Sequence, residues 1–248
     1  DRFYPDAYGS LGPMAEDPFK LIRNLVQAEL TVSQHEKKRT VSRPPALVTI
    51  CRDYGAAAED VGRRLAKDLG VDYYDKELID AIADESHMNR HLLERLDESV
   101  EGMKNAWLYA ILPGVGDPRA AYTRNLVNIL LGISRTGGVI VGRGAHLVLE
   151  KYGAFRIRIV GSVEVCAERV AASENLDMEA ARKRVNDMDK ARADFIDKLY
   201  HRNLDEPRQY DLIIDSDRFE PAAMEEIILL ASRHAHNIHP RTWQRQVR

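Results

Sequence analysis

From Ala46 onward the chain alternates short, β-branched apolar runs with stretches of helical period, and this alternation is what most narrows its fold. The runs are ALVTI (46–50), GVIVGRG (138–144), FRIRIVGS (155–162) and YDLIIDSD (210–217), with VDYYD (71–75) as a short strand or turn after the first helix. Between them lie amphipathic stretches; in 57–69, Val61, Leu65 and Leu69 recur on one face and Gly70 ends the helix. Further helices are expected over 76–86, within 89–112, and over 119–137, 162–176, 177–203 and 220–236. Strands separated by helices need crossover connections. The expected class is therefore α/β, a three-layer sandwich with a mainly parallel sheet covered on both faces.

Residues 1–45 break the pattern and read as an extension and linker, followed by a domain over 46–232 and a tail over 233–248. Within the extension, Phe19, Ile22, Leu25, Val26 and Leu30 fall at helical spacing, with Asp17 as cap and Pro18 at the first helical position. Such a helix either packs on its own domain or a sister subunit, or docks into another protein. The net charge of −3 shows no basic excess that would point to nucleic acid or an anionic membrane. No apolar run approaches the roughly 20 residues that span a bilayer. Two cysteines, Cys51 and Cys166, form neither a disulfide framework nor a metal spacing, and a cytoplasmic setting is expected. His234, His236 and His239 read as a solvated tail, so no protein metal centre is assigned.

In parallel α/β sheets ligands collect at the carboxyl ends of the strands. Those ends carry Arg52-Asp53-Tyr54-Gly55, Asp75-Lys76, Arg143 between two glycines, and Asp215-Ser216, while the helix before the last run adds Arg182, Arg184, Asp189 and Arg192. Guanidinium forks grip phosphate oxygens, and carboxylates hold Mg²⁺ or a hydroxyl, so the set suits a phosphorylated ligand. Each member also has a plain structural reading. The glycines around Arg143 permit a tight turn, Asp75 can cap a helix, Asp189 and Arg192 are spaced for a surface ion pair, and the arginines can form a solvated face.

TICRDYGAAAEDVGRRLAKDLGVDYYDKELI, VIVGRGAHLVL, DKARADF and YDLIIDS, in that order, resemble the cytidylate-kinase-like family of P-loop nucleoside monophosphate kinases over about residues 46–232. The resemblance implies a five-stranded parallel sheet, a phosphate loop after the first strand and a helical lid. It makes Tyr54, Gly55, Ala56, Ala57, Ala58 and Glu59 the loop, places Asp75 near the acceptor or metal, and assigns Lys76 and Arg143 to the monophosphate. Arg169, Arg182 and Arg184 fall in the lid region. Asp189 and Arg192 match an Asp-x-x-Arg lid pattern, whose upstream Arg-Asp is replaced by Val185 and Asn186. Arg52, Asp75, Asp189 and Arg192 become the candidate catalytic residues, with ATP and Mg²⁺ as the implied cofactors.

The general loop, G-x-x-x-x-G-K-[ST], lays its fixed positions on Arg52, Ala57, Ala58 and Glu59, none of which matches. Arg52 is available to supply the missing positive charge. Alanines resist positive φ and bring methyl groups toward a phosphate, while Glu59 and Asp60 repel an anion at the helix start. Two readings stand. One is a kinase that moves the ATP γ-phosphoryl group to CMP or a related nucleotide. The other is a catalytically inactive homologue that senses a nucleotide or serves as a protein-interaction module.

Overall fold

A computed structural model describes residues 46–76, 79 and 118–235. The expected N-terminal helix, most of the expected helices between 76 and 112, and His236 and His239 lie outside the described residues. Strand β1 (Leu47–Arg52) is buried along its whole length. Its side chains alternate between two cores: Ala46, Val48 and Ile50 join one, Leu47 and Cys51 the other. That division is what the two-residue period of a strand covered on both faces produces.

Helix α1 (Ala58–Leu69) follows β1 and buries Val61, Leu65 and Leu69 as their spacing requires, ending at Gly70 with φ 64°. Each fully buried leucine contributes about 1.5–3 kcal/mol over its exposed state. After β2 (Tyr73–Tyr74) come α2 (Pro118–Thr136), β3 (Gly138–Val141), α3 (Ala145–Val148), β4 (Phe155–Val160), α4 (Val163–Glu174), α5 (Met178–Tyr200), β5 (Leu212–Asp215) and α6 (Pro221–His234). The five strands are all parallel, in the order β2-β3-β1-β4-β5. This is the P-loop kinase-like α/β arrangement, with β1 at the centre of the sheet.

Helices α1 and α6 cover one face of the sheet, through Val61, Leu65, Met224 and Ile228. On the other face α2 contributes Leu126, Ile129, Leu130 and Ile133. Helix α5 belongs to both layers: Ala181 and Val185 enter the first core, Ile196 and Tyr200 the second. It therefore passes from one layer to the other, and its middle, around Asp189, meets the chain just after β1. Side-chain caps start both α4 and α5, Ser162 accepting from the Val165 N–H and Asp177 from the Ala180 N–H.

Candidate functional site

The chain leaves β1 at Arg52 and turns under tight restraint. Asp53 donates its backbone N–H to Ile159 (3.0 Å), and its carboxylate accepts from Arg158 Nη2 (2.6 Å) and the Gly161 N–H (3.1 Å). The turn closes with Ala56 N–H on Asp53 O (3.3 Å). Gly55 has φ 83°, and a β-carbon there would lie 2.6 Å from the Cys166 carbonyl oxygen. Ala57 has φ 58° and ψ 21°, a left-handed conformation that costs an L-residue roughly 1–2 kcal/mol. The sequence places the helix start at Ala57; the structure makes this residue the cap instead, and α1 begins at Ala58.

The three alanines do not all present methyl groups to a ligand. Ala56 and Ala58 are completely buried and belong to the core beneath the loop, and only Ala57 is partly exposed. The expected steric block thus shrinks to one methyl group. The loop keeps the left-handed backbone that glycine would normally supply.

The charged groups here are coupled. Arg52, only 8% exposed, donates from Nε (3.0 Å) and Nη2 (2.8 Å) to Glu59 Oε1. Its guanidinium lies against Gly142, where an added β-carbon would come within 2.7 Å of Nη1. Arg192 Nη1 donates to the Arg52 carbonyl (3.4 Å) and to Asp189 Oδ1 (3.3 Å), and the same carboxylate oxygen accepts the Tyr54 N–H at 2.7 Å. Asp189 and Arg192, spaced for an ordinary surface pair, therefore join α5 to the loop. Burial raises the Glu59 carboxyl, but the charge and hydrogen bonds of Arg52 outweigh it and hold the group below its ordinary value. Burial, then the like charge of Arg52, lower Arg192. Burial raises Asp189 against the opposing Tyr54 hydrogen bond.

Tyr54 and Arg169 tie the loop to α4. The Tyr54 hydroxyl hydrogen-bonds Glu174, and its ring carries the guanidinium carbons of Arg192 at 5.1 Å and Arg184 at 5.8 Å. Arg184 also pairs with Glu174 (3.6 Å). Arg169 donates to Ser216 O (2.7 Å), Ser216 Oγ (3.1 Å) and Gly55 O (3.4 Å), pinning the loop to the end of β5.

The other expected site residues sit around this group. Arg143 has φ 54°; it stacks over Phe195 at 4.9 Å, and its carbonyl accepts from the Tyr200 hydroxyl (2.8 Å). Asp75 lies 3.9 Å from Arg63, which covers the Tyr73 ring at 4.6 Å. Lys76 and Arg182 are exposed. Direct contacts join Arg52, Tyr54, Gly55, Glu59, Arg169, Arg184, Asp189 and Arg192 into one group. Sequence reasoning missed Arg158 and Glu174. Arg158 is the second arginine of FRIRIV, and its alternation with Arg156 was the only signal; Arg156 pairs with Asp211 near solvent, whereas Arg158 is 5% exposed against Asp53.

Among the described residues no three His, Cys, Asp or Glu side chains group as a metal centre, and no helix is long and apolar enough to cross a membrane. Residues 47–218 match the cytidylate kinase-like family. The chain is 25% identical over 174 residues to a cytidylate kinase of Methanopyrus kandleri, covering 70% of this chain and 86% of that protein. It is 29% identical over 100 residues to a cytidylate kinase of Methanocaldococcus jannaschii, covering 39% and 56% respectively. A solved structure of an uncharacterized protein from Eubacterium ventriosum superposes with TM-score 0.60 at 22% identity, over 75% of this chain and 97% of that one, and shares the fold.

Proposed function

The chain belongs to the cytidylate kinase-like family, and from that premise we propose that it binds ATP at the loop after β1 and transfers the γ-phosphoryl group to CMP or a related nucleoside monophosphate. The observation that carries this reading is the meeting of Arg52, Asp189 and Arg192 on a left-handed turn at the carboxyl end of the central strand. Phosphoryl transfer needs positioning and charge neutralisation more than covalent chemistry from the protein. Arg52 and Arg192 are the cations placed for that work, and Asp189 positions Arg192 and the Tyr54 N–H.

The residues present fit a nucleotide carrying Mg²⁺. Gly55 and Ala57 retain the positive-φ backbone of a phosphate cradle, and the Asp189 carboxylate beside it is a hard oxygen donor for a cation that keeps most of its other ligands as phosphate and water. When bound, Mg²⁺ adds positive charge at the phosphate oxygens. Arg143, at the end of β3, is the residue proposed for the acceptor phosphate, and Lys76 supports it. Arg169, Arg182 and Arg184 belong to the lid.

A phosphotransfer assay with Mg-ATP and CMP, following CDP and ADP together, tests the proposal. Arg52→Ala and Arg192→Ala should each lower kcat by more than about tenfold, since each removes charge from the transition state. Unchanged turnover in both overturns the assignment. A second reading, nucleotide binding without phosphotransfer, is favoured by the hold of Glu59 on Arg52. It predicts CMP binding by calorimetry with no CDP formed.

A further inference from the structure

The Arg52 fork that would hold a phosphate is already gripping an anion of the protein itself. Two guanidinium nitrogens converge on one oxygen, Glu59 Oε1, at 3.0 and 2.8 Å, the convergence a phosphate oxygen would receive. The two partners differ in freedom. Arg52 is confined by β1 and by the close approach of Gly142, so its charge is largely shielded from water. The Glu59 side chain is 46% exposed and sits on the first turn of α1, where a rotamer change carries its carboxylate into solvent. Arg192, bonded to the Arg52 carbonyl, adds a second positive charge that favours an anion at this place. In the loop pattern, Glu59 falls on the hydroxyl position.

We infer that Glu59 is a resident competitor for phosphate and determines which ligands enter the loop. Entry is an exchange: the Glu59 carboxylate leaves for water as a phosphate oxygen takes its place on Arg52. Departure of the carboxylate alone would leave a buried guanidinium unpaired, so the incoming group must be in position as Glu59 moves. Any phosphate group brings oxygens that meet that demand, and a ligand with several phosphate charges competes best for the site. The competitor lowers affinity for every phosphate ligand while keeping Arg52 in place.

The inference rests on the nucleotide-binding reading of this loop. Its test is calorimetric titration of the full chain with metal-free inorganic pyrophosphate, comparing wild type, Glu59→Gln and the double variant Arg52→Ala/Glu59→Gln. Glu59→Gln should bind at least about tenfold tighter than wild type, and the double variant should lose that gain. A Glu59→Gln protein that binds no tighter, or a gain that survives loss of Arg52, overturns the inference. Glu59→Ser, which places a hydroxyl at the same position, is the second variant should the amide form fail to fold; the same gain is expected and its absence counts equally. A phosphotransfer assay on the same samples separates the two ideas. Wild-type turnover without a binding gain in the variants removes the competitor and keeps the kinase. A binding gain without turnover in any sample keeps the competitor and removes phosphotransfer.

Discussion

Ala57 holds the loop in a conformation that glycine adopts freely, and its φ of 58° makes it a point of local strain. Replacing it with glycine relieves that strain but adds unfolded-state freedom. The net expectation for Ala57→Gly is a stabilisation of about 0.5–1 kcal/mol, read as a higher urea midpoint at unchanged slope. An unchanged or lower midpoint would show that the surrounding contacts absorb the strain. Ala58→Gly acts in the opposite direction, because the residue is helical and its methyl group is buried. It should cost about 1–2 kcal/mol. The sequence treats the two alanines as equivalent obstacles to phosphate, since their spacing in a turn does not say which methyl points inward. Arg52 was legible as a cation at a strand end. Its partner was not, because the bond spans a turn whose geometry depends on Ala57.

At the scale of elements, the α5 helix fixes the site by packing against the turn after β3. Gly144 has φ 69°, and a β-carbon there would overlap the Tyr200 ring. Gly144→Ala should therefore destabilise the fold by about 2–4 kcal/mol, combining left-handed strain with overpacking. A urea midpoint close to wild type would mean that α5 can shift to make room. A second contact, between α1 and α6, is sensitive to pH. Burial, then the charge and hydrogen bond of Asp68, hold the Glu225 carboxyl above its ordinary value. The folded state thus binds this proton more tightly than the unfolded state, and stability falls as pH rises through the folded value. Glu225→Gln removes that penalty, so at pH 7 its Tm should rise by about 1–3 °C, with the gain disappearing below the ordinary carboxylate range. An equal gain at pH 3 would exclude proton linkage as the cause. Neither contact is visible as a pair in the sequence: Asp68 and Glu225 lie on helices brought together only by the sheet.

For the whole molecule, the proposed ligand gives a direct measurement. Mg-ATP at about a hundred times its dissociation constant adds about 2.7 kcal/mol, which corresponds to a rise in Tm of roughly 5–11 °C. Chelation of Mg²⁺ should reverse most of that rise. A Tm insensitive to nucleotide at millimolar concentration would contradict nucleotide binding. The α/β class and four of the five strands were legible because β-branched runs and 3.6-residue periods differ sharply, whereas Tyr73–Tyr74, too short to show a period, read equally as a strand or a turn. The order β2-β3-β1-β4-β5 was not, since no local signal states which strand lies beside which. The same limit hid Arg158, whose partners Asp53 and Asp205 converge on it only after β4 pairs with β1. Placing the first strand at the centre also has a cost during synthesis. The neighbours of β1 begin at Gly138 and Phe155, so its apolar run LVTICR reaches the end of β4 only after about a hundred further residues have been made. At ribosomal speeds of about 5–20 residues per second, that leaves the nascent strand without its full pair of partners for roughly 5–20 s. The strand that will carry the site must be shielded before it can be paired.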